Sequence, residues 1–177
     1  LHPVQGLCKK NNSLLIFDEV VTGFRYSLGG AQKLFNIKPD LACFAKAISN
    51  GIPLSAVVGK KKYMKYFNKV FFSFTYGGDC VGLAAAKACI NKLEKKNVLK
   101  HIHQMGELLK NGINNSITQN KVDDYFSCIG EPCRSVLQIK ANNEKKTLEY
   151  KTFIQQELFK EGILWTGYHV ISWMHKK

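Results

Sequence analysis

Arginine is nearly absent from this chain: of 26 basic residues, only Arg25 and Arg134 carry a guanidinium, and the rest are lysine. Proteins that read bases and phosphates lean on the planar, bidentate fork of arginine. The lysines are also scattered, apart from Lys60-Lys61-Lys62. The formal net charge of +13 therefore reads as a solvated lysine surface, and no nucleic-acid partner is expected. Long apolar runs are missing too. Nothing approaches the roughly 18 consecutive residues of a membrane span, and nothing resembles a secretory leader, so no membrane partner is expected. There is no CxxC pair among the six cysteines. Cys128 and Cys133 flank "IGEP" at a spacing foreign to the common zinc motifs, and no histidine stands at ligand spacing beside them. His101 and His103 read as a helix surface, and His169 and His175 as neighbours of a strand. A disulfide framework and a metal site are thereby set aside, and free thiols in a reducing cytoplasm are expected.

What is present is enough for a real core: 177 residues, 45% of them hydrophobic, room for one domain and part of another. A helix is expected over residues 3–11, closed by Asn11-Asn12. "SLLIF" is a short, β-rich run suited to a strand buried on both faces. "GGAQKLFNI" suggests a helical turn that Pro39-Asp40 punctuates, and "LACFA" and "LSAVVG" supply two further strands. Asp79 is placed to cap a long helix through "VGLAAAKACINKLEKK". Val98, Ile102, Met105 and Leu109 then recur at helical spacing up to Gly112. "NNSITQNKVDD" looks like a loop, "SVLQIKA" a half-exposed strand, "TLEYKTFIQQELFKEG" an amphipathic helix, and "ILWTGYHVISW" a strand. Residues 1–100 therefore read as a mostly parallel α/β layer, and residues 101–177 as a smaller α+β unit.

In open parallel sheets, ligands collect beyond the carboxyl ends of the strands. Asp18 follows "LLIF", and Lys46 follows "LACFA" in "FAKAISNGIP". A carboxylate there needs a cationic or hydrogen-bonding partner, and a lysine in an apolar setting becomes a nucleophilic amine. "FFSFTYGGD" adds the Thr75 hydroxyl and a glycine turn ahead of a helix, features suited to a phosphate. An acid, an amine and a phosphate cradle are what pyridoxal 5′-phosphate requires. Glu19 and Arg25 read as a local salt bridge. Trp165 and Tyr168 read as core packing, with lining of a substrate entrance as the other possibility.

"LLIFDEVVTGFRYSLGGAQKLFNIKPDLACFAKAISNGIPLSAVVGKKKYM" closely resembles the core of the class III aminotransferases, pyridoxal-phosphate enzymes of fold type I. Its DEV-TGFR, LGGAQ, PDL and lysine-bearing blocks are similar to those of the glutamate-1-semialdehyde aminomutase group. "FFSFTYGGDCVGLAAA" resembles the family's phosphate-contact block, and "EGILWTGYHVISWMH" its C-terminal segment. The resemblance implies an α/β large domain over 1–100 and an incomplete small domain over 101–177. It also implies amino-group transfer between an amino donor and a carbonyl substrate through a Schiff base on Lys46. Asp18 would hold the pyridine nitrogen, Val20 would pack on one ring face, and Thr75 would contact the phosphate from the neighbouring subunit of a homodimer. Where the aminomutases carry a glycine-rich run near the lysine and Gly-Asn-Pro after the threonine, this chain has "AKAISNGIP" and "TYGGD". That favours a related aminotransferase over the aminomutase. A third reading is a catalytically inactive fragment or lysine-rich binding module. The chain opens on Leu1 rather than methionine. A first phosphate loop and a ring-stacking aromatic are thus expected upstream, and the small domain is expected to continue past Lys177.

Overall fold

The computed structural model describes residues 1–72 and 74–176. Ser73, inside the "FFSFTYGGD" block, and Lys177, where the small domain was expected to be cut, lie outside the described residues. The fold divides into two compact units, Leu1–Leu99 and Lys100–Lys177.

In the first unit, helix α1 spans His2–Lys10, with proline in its first turn and Lys9 and Lys10 in its last. Both placements suit a helix, because proline's missing N–H costs nothing at the start and cations complement the carbonyl end. Strand β1 (Ile16–Asp18) runs parallel to β2 (Leu41–Phe44), with Asp18 opposite Cys43. Strand β3 (Ala56–Gly59) then returns antiparallel to β2, with Phe44 opposite Ala56. The sequence suggested a parallel third strand. The connection 45–55 holds only the 3₁₀ turn Lys46–Ile48, and without a helical crossover the chain reverses. β1 is also not buried on both faces. It is an edge strand of the three-stranded sheet, and Leu14 and Ile16 stay 44% and 54% exposed.

The core of this unit gathers Ala42 and Phe44 of β2, Ile48 of the 3₁₀ turn and Ala86 of α4 (Cys80–Lys95), with Phe17, Phe24, Leu54 and Ala56 around them. Asp79 caps α4 as expected, its Oδ2 accepting the Gly82 N–H at 2.7 Å. Short helices α2 (Gly30–Leu34) and α3 (Lys61–Met64) complete the unit. Asp40 ties the far end of the sheet: it accepts the Leu15 N–H at 2.9 Å and the Lys60 ammonium at 2.8 Å. The Lys60 contact, then the Leu15 amide, holds its carboxyl below the usual carboxylate range.

In the second unit, strands β4 (Phe126–Glu131), β5 (Arg134–Ile139) and β6 (Tyr168–Val170) form an antiparallel sheet in that order. β5 and β6 were anticipated; β4 was not. Helix α6 spans Glu144–Lys160. Helix α5 runs Val98–Gln119, past Gly112 and through Asn114–Gln119, the first half of the polar stretch expected to be loop; residues 120–124 remain non-helical, as expected. The reason is Asn114. Its side-chain amide donates to the Cys128 carbonyl at 3.0 Å and accepts the Cys128 N–H at 2.8 Å. Those bonds satisfy the Cys128 backbone on the open edge of β4 and tie the polar end of the helix to it.

Candidate functional site

The two strand ends that matter are neighbours. Asp18 terminates β1 and Lys46 follows β2 by two residues, at the same end of a parallel pair. Adjacent strands lie about 4.8 Å apart and each residue spans at most about 3.6 Å, so their Cα atoms are no more than roughly 16 Å apart. Asp18 is exposed. Its Oδ1 accepts the Val20 N–H at 3.0 Å, the local turn that aspartate forms with the backbone two residues on. Among the described residues its Oδ2 has no partner. Val20 itself is half-buried.

Lys46 sits with φ at +48°, in the left-handed region that costs an ordinary residue about 1–2 kcal/mol. Such strain gathers at functional sites held by their surroundings. Phe44, nine-tenths buried, anchors the strand just before it and packs on Phe24 at 5.6 Å between ring centroids. The lysine was expected in an apolar setting, yet in this chain it is exposed and its amine has no partner among the described residues. Thr75 is exposed in the turn ahead of α4, where the Gly77 N–H donates to the Phe74 carbonyl at 2.9 Å and Gly78 adopts φ +79°. No hydrogen bond among the described residues joins Thr75 to Asp18 or Lys46. The structure thus brings two of the four predicted residues to one sheet end, keeps Val20 beside the first, and leaves Thr75 on a separate loop.

Glu19 was read as half of a local salt bridge with Arg25; its surroundings add partners that reading did not include. It is fully buried, and its oxygens accept the backbone N–H groups of Ala31 and Gln32, both at 2.8 Å, together with the Thr22 hydroxyl. The sequence did carry a signal for this: an acid at a strand end followed by "LGGAQ", whose glycines allow a helix start to close on a carboxylate. Gly30 has φ +73°, and a Cβ there would collide with the Glu19 carboxyl group.

In the second unit, Trp165 is core, as expected, while Tyr168 is exposed beneath the Arg134 guanidinium. The Trp165 indole N–H donates to His169 Nε2 at 3.1 Å, and His169 Nδ1 lies 3.1 Å from Ser135 Oγ. Because indole nitrogen only donates, the neutral ring carries its proton on Nδ1. Burial lowers the His169 pKa from 6.5. His101, expected on a helix surface, is half-buried against Trp173 at 4.8 Å. A cavity of about 650 Å³ opens among Ile113, Ile117, Leu158, Trp165 and His169; none of the four predicted site residues lines it. No disulfide joins the six cysteines, all of which are described. Among the described residues no helix is long and apolar enough to cross a membrane, and no group of three acidic, cysteine or histidine side chains is placed to hold a metal ion.

The family described as "Aminotransferase class-III" matches residues 1–172. Curated relatives include the glutamate-1-semialdehyde 2,1-aminomutase of Wigglesworthia glossinidia brevipalpis, 34% identical over 190 residues that cover 100% of this chain and 44% of that protein. The 3-aminobutyryl-CoA aminotransferase of Cloacimonas acidaminovorans is 34% identical over 170 residues, covering 96% of this chain and 41% of that protein. A solved transaminase with PLP bound superposes with a TM-score of 0.87 at 21% identity, covering 100% of this chain and 43% of that one. An omega-transaminase from Sphaerobacter thermophilus reaches 0.87 at 19% identity, with 97% and 42% covered. These likenesses establish the expected mixed α/β fold, that of the fold type I transaminases. The chain spans less than half the length of the relatives it matches.

Proposed function

This chain belongs to the class III aminotransferase family, and from that membership we propose that its protein is a pyridoxal-phosphate-dependent aminotransferase acting on a small-molecule amino donor and a carbonyl substrate. The observation that carries the reading is the pairing of strand ends, a carboxylate and an amine on a strained backbone at the same end of adjacent parallel strands. One Asp18 oxygen and the lysine amine lack a partner among the described residues. An acceptor and a nucleophile at one sheet end are two of the three groups this cofactor needs, and the residues fit that part of it. When bound, it supplies an electron sink for the α-carbon of an amine substrate.

In this reading Asp18 Oδ2 would hold the ring nitrogen and keep a proton there. Val20 would pack on one ring face. Lys46 would bind the cofactor through its amine and, once released by an incoming amine, take the proton from the α-carbon and return it. Residues 1–100 would be part of the cofactor-binding domain and 101–177 an incomplete small domain. Thr75 would contact the phosphate bound in the neighbouring subunit of a homodimer. The exposed run beside it supports that part: Phe71 is 96% exposed and Phe72, Phe74 and Tyr76 are exposed with it, an apolar surface of the kind that marks an interface. Free thiols support a cytoplasmic setting.

The likeness to aminomutases over the full chain favours one other reading, in which the same groups move an amino group within one molecule. Withholding an external amino donor separates the two, since the transferase then stalls and the mutase continues. The test of both is borohydride reduction of the chain with substoichiometric pyridoxal phosphate, followed by peptide mapping. A phosphopyridoxyl label on Lys46, lost in Lys46→Ala, is expected. Label spread over the other lysines, or unchanged in the variant, rejects the site.

A further inference from the structure

We propose that Glu19 is a positioning residue of this site: its buried carboxylate fastens the loop of residues 19–32 across the ends of β1 and β2 and thereby fixes the carboxylate of Asp18. The proposal rests on the reading that Asp18 holds the cofactor's ring nitrogen. Among the described residues Glu19 is the only buried carboxylate, and a buried charge survives only with several donors aimed at it. Its donors lie three, 12 and 13 residues along the chain, at Thr22, Ala31 and Gln32, so it closes a loop.

The backbone of the same residue works in two further directions. Its N–H donates to the Cys43 carbonyl at 2.9 Å, joining it to β2 three residues before Lys46, and its carbonyl accepts the Gly23 N–H at 2.8 Å. Residue 19 is therefore bonded to the β2 end, to the loop and to the start of α2, and is joined covalently to Asp18. The Asp18 Oδ1 bond to the Val20 N–H spans residue 19, so holding Glu19 restrains the turn that orients Asp18. A group that must meet a ring nitrogen has to be placed to within about 0.5 Å. The bland alternative is that Glu19 stabilises the fold and nothing else.

The test compares Glu19→Gln, Gly30→Ala, Thr22→Val and Asp18→Asn in the full chain. Gly30→Ala presses a methyl group onto the carboxylate without changing its charge, and Thr22→Val, the mildest change, preserves a folded protein if Glu19→Gln does not. Two readouts are used. One is amide hydrogen exchange at Val20, Ala31 and Gln32 without cofactor; the other is pyridoxal-phosphate titration by absorbance, including the pH at which the bound absorbance changes. Glu19→Gln and Gly30→Ala are expected to speed exchange at all three amides by tenfold or more, to weaken cofactor binding by tenfold or more, and to move the pH profile. Thr22→Val should act in the same direction, less strongly. Faster exchange at Ala31 and Gln32 with Val20 and the cofactor absorbance unchanged would make Glu19 merely structural and overturn the proposal. If Asp18→Asn leaves the titration untouched, the role of Asp18 fails instead, and Val20 exchange still decides separately whether Glu19 holds it.

Discussion

Gly23→Ala is the sharpest perturbation the first unit offers. A Cβ at residue 23 would stand 2.5 Å from Phe44 Cδ1, 2.9 Å from Phe44 Cε1 and 2.7 Å from the Glu19 carbonyl oxygen. Gly23 is not among the glycines with positive φ, so the cost is steric. Adding a side chain at an unstrained backbone lowers the entropy of the unfolded chain, a gain of about 0.4–1 kcal/mol. Against it stand overpacking of about 1–3 kcal/mol, weakening of the Phe24–Phe44 contact, about 0.5–1.5 kcal/mol, and stretching of the Gly23–Glu19 backbone bond, about 0.5–1.5 kcal/mol. The balance is a loss of about 3 kcal/mol, or roughly 15 °C in Tm for a unit of this size. Both tryptophans, Trp165 and Trp173, belong to the second unit, so their fluorescence would miss the event. Urea titration by far-UV circular dichroism, with amide exchange over Leu1–Leu99, will see it. Phe44→Leu in the same chain removes the aromatic ring from the collision but leaves the Glu19 carbonyl. The double-mutant cycle should therefore recover about 1 kcal/mol, the size expected of touching residues. A loss below about 0.5 kcal/mol for Gly23→Ala, or no coupling to Phe44, would refute the packing described for the strand that carries Lys46.

Asn114→Ala removes both bonds to the Cys128 backbone and leaves two buried groups unpaired, so a loss of about 2–3 kcal/mol is expected from the urea midpoint; a shift below about 0.5 kcal/mol would mean that α5 does not need its polar extension. For His169, burial places the folded pKa below the ordinary 6.5. Between the two values the unfolded chain binds more protons, so the second unit should keep its full stability above about pH 6.5 and lose it as pH falls through the folded value. His169→Phe should remove that step, as followed by urea titrations at a series of pH values; a step that persists would assign it to another group.

Which groups stand at the two strand ends was legible in the sequence. The apolar run "LACFA", the acid after "LLIF", the lysine after the next strand and the Asp79 cap are local signals, and local signals survive because neighbouring residues decide them. Four features needed the tertiary structure. The reversal of β3 followed from a connection too poor in helix to cross over. β4 and the last turns of α5 exist through each other, by way of Asn114, and neither segment announces the pairing alone. The exposure of β1 reflects its place at a sheet edge, which composition does not encode. Glu19 is the clearest case. Beside Asp18 in sequence the two carboxylates look alike, and only closure of the 19–32 loop buries one on the amides of Ala31 and Gln32 while leaving the other open. The sequence determined which groups stand at the strand ends. Which acid is sealed and which stays exposed was decided by long-range contacts, because burial depends on residues brought together from far along the chain.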